Sequence, residues 1–188
     1  MKRYTIALAT VALAAGQALS AGPTDDMAAF VQSQDWVTSP AIIQALRVQN
    51  AETAGLTQAD IDALDQDWRA QVGQVDQPLI TAVTSRDASL HLRQNVDAAQ
   101  GRITEVFVMD ARGLNVATSA VTSDYWQGDE AKFTQTYPMG AGAMHVSEVE
   151  YDESTQTYQA QVSLSIADPQ SGEVIGAVTF GVNAQAFF

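Results

Sequence analysis

The sequence predicts an α+β fold in which helices come first and an antiparallel sheet follows. Two observations carry this. Between residues 24 and 100, apolar residues recur at helical spacing, as in Ile61, Leu64, Trp68 and Val72. From Ile103 onward the period falls to two. Tyr158, Ala160, Val162, Leu164 and Ile166 alternate with Gln159, Gln161, Ser163 and Ser165, which describes a strand with one wet face. The chain has 188 residues and is 46% apolar, enough for one domain with a sizeable core.

Met1 to about Ala21 has the layout of a secretory signal peptide: Lys2 and Arg3, an apolar run from Tyr4 to Ala15, then the small residues Ala18, Ser20 and Ala21. The apolar run is short for a membrane span. The expectation is a protein exported to the periplasm. Removal of residues 1–21 takes away two of nine basic residues and no acidic ones, leaving 7 − 22 = −15 with His neutral. Such a surface repels nucleic acid and anionic lipid, so no nucleic-acid partner is expected. Cysteine is absent, which excludes disulfides, thiolate metal sites and a thiol nucleophile.

Residues 22–76 form an expected N-terminal helical region. Met27, Phe30 and Val31 make one face. Ser39-Pro40 interrupts the pattern, with Pro suited to a first helical turn and Ser to the cap before it. Ile42, Ile43 and Leu46 resume it, giving two helices or one kinked at Pro40. Ala51–Leu56 is expected as a linker. Thr57 and Asp60 have capping-box spacing. The acids Asp60, Asp62, Asp65 and Asp67 lie beside that helix's apolar stripe. They lack the loop glycine and terminal glutamate of an EF-hand, so a solvated acidic face is expected. Pro78–Val83 is a short apolar piece, and Ala88, Leu92, Val96 and Ala99 give another helical face.

Residues 77–188 are expected as the sheet-bearing domain that follows this helical region. Ile103–Met109 is a strand, Asp110–Gly113 a turn and Leu114–Ser119 a second strand. Asp168–Gly172 is a turn with Pro and Gly well placed. Val174–Val182 is the last strand, and small residues on one side of it (Ala177, Thr179, Gly181) leave room for a ligand or a helix.

These residues resemble a known family. The runs ITEVFVMDARGLNVATSAVTSDYWQGDEAKF and VEYDESTQTYQAQVSLSIADPQSGEVIGAVTFGV are similar to the single Cache domains, or PDC sensors, which are PAS-like extracytoplasmic sensors. The match covers about Pro78 to Val182. It includes Asp110 and Gly113 after a strand, the segment SDYWQGDE, the D-E-S turn at 152–154 and I-G-A-V at Ile175–Val178. The resemblance implies a PAS-like five-stranded antiparallel sheet with a helical loop, here Thr122–Gly142, closing over a small-molecule pocket. It also implies a membrane helix after the last strand in many members. This sequence ends six residues past Val182 and is read as a free-standing sensor domain for signal transduction. Members that read amino acids carry an arginine and a tryptophan close together on the helix before the pocket, and the cover itself, Thr122–Gly142, holds no arginine.

Within the cover, Tyr125 and Trp126 supply rigid aromatic walls with a polar end. Asp124, Asp129 and Glu130 accept hydrogen bonds from an amine, and Lys132 donates to a carboxylate. Tyr137 and His145 follow as wall residues. The candidate ligand contacts are therefore Tyr125, Trp126, Asp129, Lys132, Tyr137 and His145, for an amino acid, an amine or a carboxylate. Each has a structural alternative: Trp126 as an anchor between loop and sheet, the acids as charges on a helix start, Lys132 in a surface ion pair, His145 as a strand residue. His91 and His145 lie in unrelated contexts, and neither G-x-S-x-G nor H-E-x-x-H occurs. No enzyme activity, metal or cofactor is expected. The other expected partners are a membrane receptor or kinase ectodomain and a second copy through the N-terminal helices, the latter two forming the alternative reading of an interaction module without its own ligand.

Overall fold

The computed structural model describes residues 22–153 and 156–188. The expected signal peptide, and Ser154 of the D-E-S turn, lie outside them. Five helices precede the sheet: α1 (Pro23–Gln32), α2 (Pro40–Thr53), α3 (Gln58–Gln71), α4 (Pro78–Thr84) and α5 (Asp87–Ala98). Proline opens α1, α2 and α4, where the amide it lacks has no helical partner. A 3-10 turn at Asp35–Thr38 separates α1 from α2, so Pro40 starts a helix and kinks none. Ser39 precedes it without a side-chain cap bond. Helix α2 runs to Thr53, into the expected linker, because Thr53 Oγ1 is held 2.9 Å from Asp110 Oδ2. The capping box of α3 is formed: Asp60 N donates to Thr57 Oγ1 at 3.3 Å and Thr57 N to Asp60 Oδ2 at 2.8 Å.

The sheet holds β1 (Ile103–Met109), β2 (Asn115–Thr118), β3 (Met144–Val146), β4 (Glu150–Asp152), β5 (Thr157–Ala167) and β6 (Val174–Asn183), all antiparallel. Its order is β2-β1-β6-β5-β3, and β4 also pairs with β5. The six strands thus fill five positions. The fifth is split, since Met144–Val146 pairs with Leu164–Val162 and Glu150–Asp152 with Gln159–Thr157 along the same edge. Between β2 and β3 lie the short helix α6 (Ala131–Thr134) and a 3-10 turn at Tyr137–Met139, which form the expected cover.

Alternation along the strands divides the sheet into two faces. One buries Val106, Val108, Val162, Val178, Phe180 and Val182 against Met27, Val31, Ile42, Ile43, Leu46 and Leu92 of α1, α2 and α5. Each of these large side chains contributes roughly 1.5–3 kcal/mol by leaving water. The apolar stripes of α1 and α2 are therefore occupied by the chain's own sheet. Helices α3 and α4 build a smaller core, in which Ile61, Trp68, Ile80 and Val83 meet Leu114 and Tyr125. On the opposite face of the sheet Phe133 covers Phe107, Met109 and Ala177.

Asp110 ties the helices to the β1–β2 turn. It is fully buried. Its Oδ1 accepts from the amides of Arg112 (2.8 Å) and Leu114 (3.0 Å), and its Oδ2 from Gln49 Nε2 (3.1 Å) and Thr53 Oγ1. A buried carboxylate is tolerated where donors of this number replace its water.

Candidate functional site

The cover face of the sheet is only half covered. The register places His145, Ser163, Thr179, Phe107 and Thr118 in one row across it. Phe133 and Tyr137, stacked at 5.1 Å, close this part of the face. The next row is Gln161, Gly181 and Glu105. Gly181 makes room there. A Cβ on it would stand 2.8 Å from Glu105 Cγ and 3.0 Å from Gln159 Oε1, so the two side chains lie across the central strand only because it has none.

Above this row is a cavity of about 270 Å³, lined by Glu105, Phe107, Val121, Thr122, Ser123, Gln127, Lys132, Asp152 and Gln161. A second hollow of about 250 Å³ shares Lys132, Asp152 and Gln161 with it and leads out past Glu148 and Glu150. Sheet residues form the floor and the segment 121–132 the roof. Lys132 Nζ stands 3.1 Å from Glu130 Oε2, 3.1 Å from Gln127 Oε1 and 5.3 Å from the centre of the Phe107 ring, so ion pair, amide and ring face hold it together. On the floor, Thr104 Oγ1 donates to Gln159 Oε1 at 2.5 Å. Burial pushes the Glu105 carboxyl above its ordinary value, and Asp152 adds to this, while Lys132 and a hydrogen bond with Gln159 oppose it. The site thus offers carboxylates, three side-chain amides (Gln127, Gln159 and Gln161) and one ammonium around a space for a small solute.

The roof is fixed from α3. Asp65 Oδ1 accepts from the amides of Tyr125 (2.9 Å) and Trp126 (3.0 Å). Trp68 Nε1 donates to Thr122 O at 2.8 Å. Arg69 reaches Asp65 Oδ2 at 2.7 Å and Asp124 Oδ1 at 2.6 Å. Asp65 is therefore buried and engaged, and does not share the solvated face read for it with Asp60, Asp62 and Asp67.

Of the six residues singled out in the sequence, Lys132 lines the cavity. Tyr125 turns the other way, into the α3–α4 core, stacked on Trp68 at 5.2 Å with the rings 14° apart. Burial pushes its phenol up to about 12. Trp126 anchors the roof to the β1–β2 turn: its Nε1 donates to Arg112 O at 2.8 Å. Asp129 is exposed at the start of α6. Tyr137 packs on Phe133, and His145 sits half-buried on β3 opposite Ser163. His91 is on α5, near Trp36 O, on the helical side of the sheet, so the two histidines do not meet. Among the described residues no group of three or more His, Asp or Glu could hold a metal ion. Glu105, Gln159, Gln161 and Asp152 are not among the contacts expected from the sequence. For Gln159 and Gln161 the signal is present in the sequence, since the polar residues of β5 lie beside a strand carrying Gly181.

No protein-family model matches the chain, and no curated protein matches it. Solved structures do, among them ligand-binding and sensor domains. The ligand-binding domain of the Campylobacter jejuni chemoreceptor Tlp3, in complex with 4-methylisoleucine, is 9% identical over 89% of this chain and 62% of its own, with a TM-score of 0.43. The sensor domain of the V. cholerae histidine kinase DctB is 13% identical over 88% of this chain and 55% of its own, with a TM-score of 0.46. An extracellular ligand binding receptor from Desulfohalobium retbaense is 16% identical over 81% of this chain and 26% of its own, with a TM-score of 0.41. The chain thus spans 62% and 55% of the first two. Among the described residues no helix is long and apolar enough to cross a membrane.

Proposed function

We propose that this chain is a periplasmic sensor-type domain for signal transduction that binds a small organic metabolite between the roof 121–132 and the sheet. The metabolite carries an amine, a carboxylate or both, as an amino acid does. The observation that carries this reading is Lys132. The one lysine among the described residues is held at the cavity, its side chain 12% exposed, over an aromatic ring and beside two further acceptors. Glu105, Asp152 and Gln161 face the same space from the sheet side and suit an ammonium group. The bound state is handed on to a membrane receptor or kinase ectodomain.

A thermal-shift screen of amino acids, amines and small carboxylates tests this, run on protein unfolded and refolded to strip any solute carried through purification. A ligand at about 100 times its Kd adds about 2.7 kcal/mol, a midpoint rise of roughly 5–10 °C for a chain of this length. The hit is then titrated against Lys132→Met and Gln161→Leu. Loss of binding in both, with the fold intact, is the expected result. Full affinity in both variants overturns the site, and a flat screen overturns the reading.

A further inference from the structure

Asp65, Trp68 and Arg69 stand at i, i+3 and i+4, on one face of α3. All three grip the same stretch of roof. Trp68 holds the Thr122 carbonyl, Asp65 the two consecutive amides of Tyr125 and Trp126, and Arg69 the Asp124 carboxylate. The Asp124 carbonyl is in turn a meeting point: it accepts from Asn115 Nδ2 (2.9 Å), Thr122 Oγ1 (2.7 Å) and Gln127 Nε2 (3.0 Å). The last of these aims Gln127 so that its Oε1 receives the Lys132 ammonium. A continuous path of polar contacts runs from a helix outside the cavity to the cation at it. Asp65 is the buried end of that path, 6% exposed. A carboxylate is drawn into such a place only by donors that replace its water, and the two roof amides and the Arg69 guanidinium are those donors.

We propose that Asp65 is a positioning residue for the candidate site: by accepting the Tyr125 and Trp126 amides it sets where Gln127, and through it Lys132, stands at the cavity. The inference rests on reading that cavity as the binding site, but its test needs no ligand. Lys132 is one of two lysines in the sequence, the other being Lys2. Its acetylation by an N-hydroxysuccinimide ester can be followed peptide by peptide in the intact protein by mass spectrometry. Asp65→Leu removes the acceptor and keeps the bulk. Lys132 acetylation is expected to rise about tenfold, the increase in open roof that loss of one buried acceptor produces. Asp65→Asn keeps an oxygen for both amides and is expected to stay within about twofold of the parent. Leu92→Ala, which weakens the main core far from the roof, serves as the control for general destabilisation and is expected to leave the rate unchanged. Should Asp65→Leu fail to fold, Arg69→Gln, on the exposed end of the same grip, is expected to raise the rate in the same direction. Parent-like acetylation in Asp65→Leu or Arg69→Gln, or an equal rise in Leu92→Ala, overturns the proposal. A flat metabolite screen with the acetylation pattern as expected would sink the ligand and leave the positioning role standing.

Discussion

Gly113 and Gly128 meet where no side chain fits between them: a Cβ on Gly113 would lie 2.5 Å from the Gly128 Cα. The contact joins the β1–β2 turn to the roof of the cavity, and Gln127 N donates to Gly113 O at 2.8 Å beside it. Gly113 also has φ +81°, a left-handed conformation that costs a residue with a Cβ. Gly113→Ala is expected to lower stability by about 2–4 kcal/mol, from strain and backbone displacement together. Gly55 has open space around it and no such φ. Gly55→Ala is expected to be neutral or to stabilise by up to about 1 kcal/mol. Urea unfolding of the two variants checks the contrast.

The acid limb of stability is expected to depend on Asp168. Arg47 binds it with two hydrogen bonds, Nε to Oδ2 at 2.7 Å and a terminal nitrogen to Oδ1 at 2.8 Å. These bonds, with the Gln170 amide, hold its carboxyl down from 3.8 to about 2. A carboxylate with a depressed folded value stabilises the fold above its unfolded value and loses that contribution as pH falls through the folded one. Asp168→Asn is therefore expected to be less stable than the parent at pH 5, with the gap narrowing as pH falls from about 4 to about 2. A gap that stays constant with pH would show that the charge is not responsible.

Glu105 runs in the opposite sense. Its value is raised by burial and by Asp152, so the folded state prefers the protonated form. Whatever stability protonation provides is complete below the ordinary carboxylate range and declines as pH rises through the raised value. Glu105→Gln is expected to unfold at higher urea than the parent at neutral pH and to match it in acid. A less stable Gln variant at neutral pH would refute this.

At alkaline pH the weak point is Tyr125. Its phenol is pushed from 10.0 up to about 12, chiefly by burial against Trp68. The contribution of the neutral phenol is full below pH 10 and lost as pH rises through about 12. Ultraviolet titration is expected to show a tyrosine ionisation near pH 12, and Tyr125→Phe to remove that step.

Much of the fold is legible in the residues because local signals and burial agree. Thr57 and Asp60 predict the start of α3 and form the box that starts it. The alternation from Tyr158 to Ile166 is a long strand with its apolar side on the helices. The cover was legible as a segment, yet the roles of its residues were not. Tyr125 and Trp126 are as suitable for a ligand as for a core, and only the position of α3 in space decides that Tyr125 faces Trp68. Asp65 shows the same limit. Along the sequence it is one of four similar acids, and its burial depends on two amides that lie 60 and 61 residues away. The floor residues Glu105, Gln159 and Gln161 are charged or polar in strands, a pattern equally suited to bulk water and to a cavity.

The split fifth position of the sheet has a consequence for self-association. A long, straight outer strand would present a row of free amides and carbonyls to any other extended chain, which is how sheets grow into fibrils. Here β3 and β4 offer three residues each, and residues 147–149 arch between them while Ser147 stays bonded to Gln161 through its amide and its hydroxyl, at 2.9 and 2.8 Å. The opposite edge, β2, is four residues long and packed against α4 and α5. Neither border is a template of useful length, so the sheet is terminated on both sides by its own architecture, and the acidic surface is not its sole protection against aggregation.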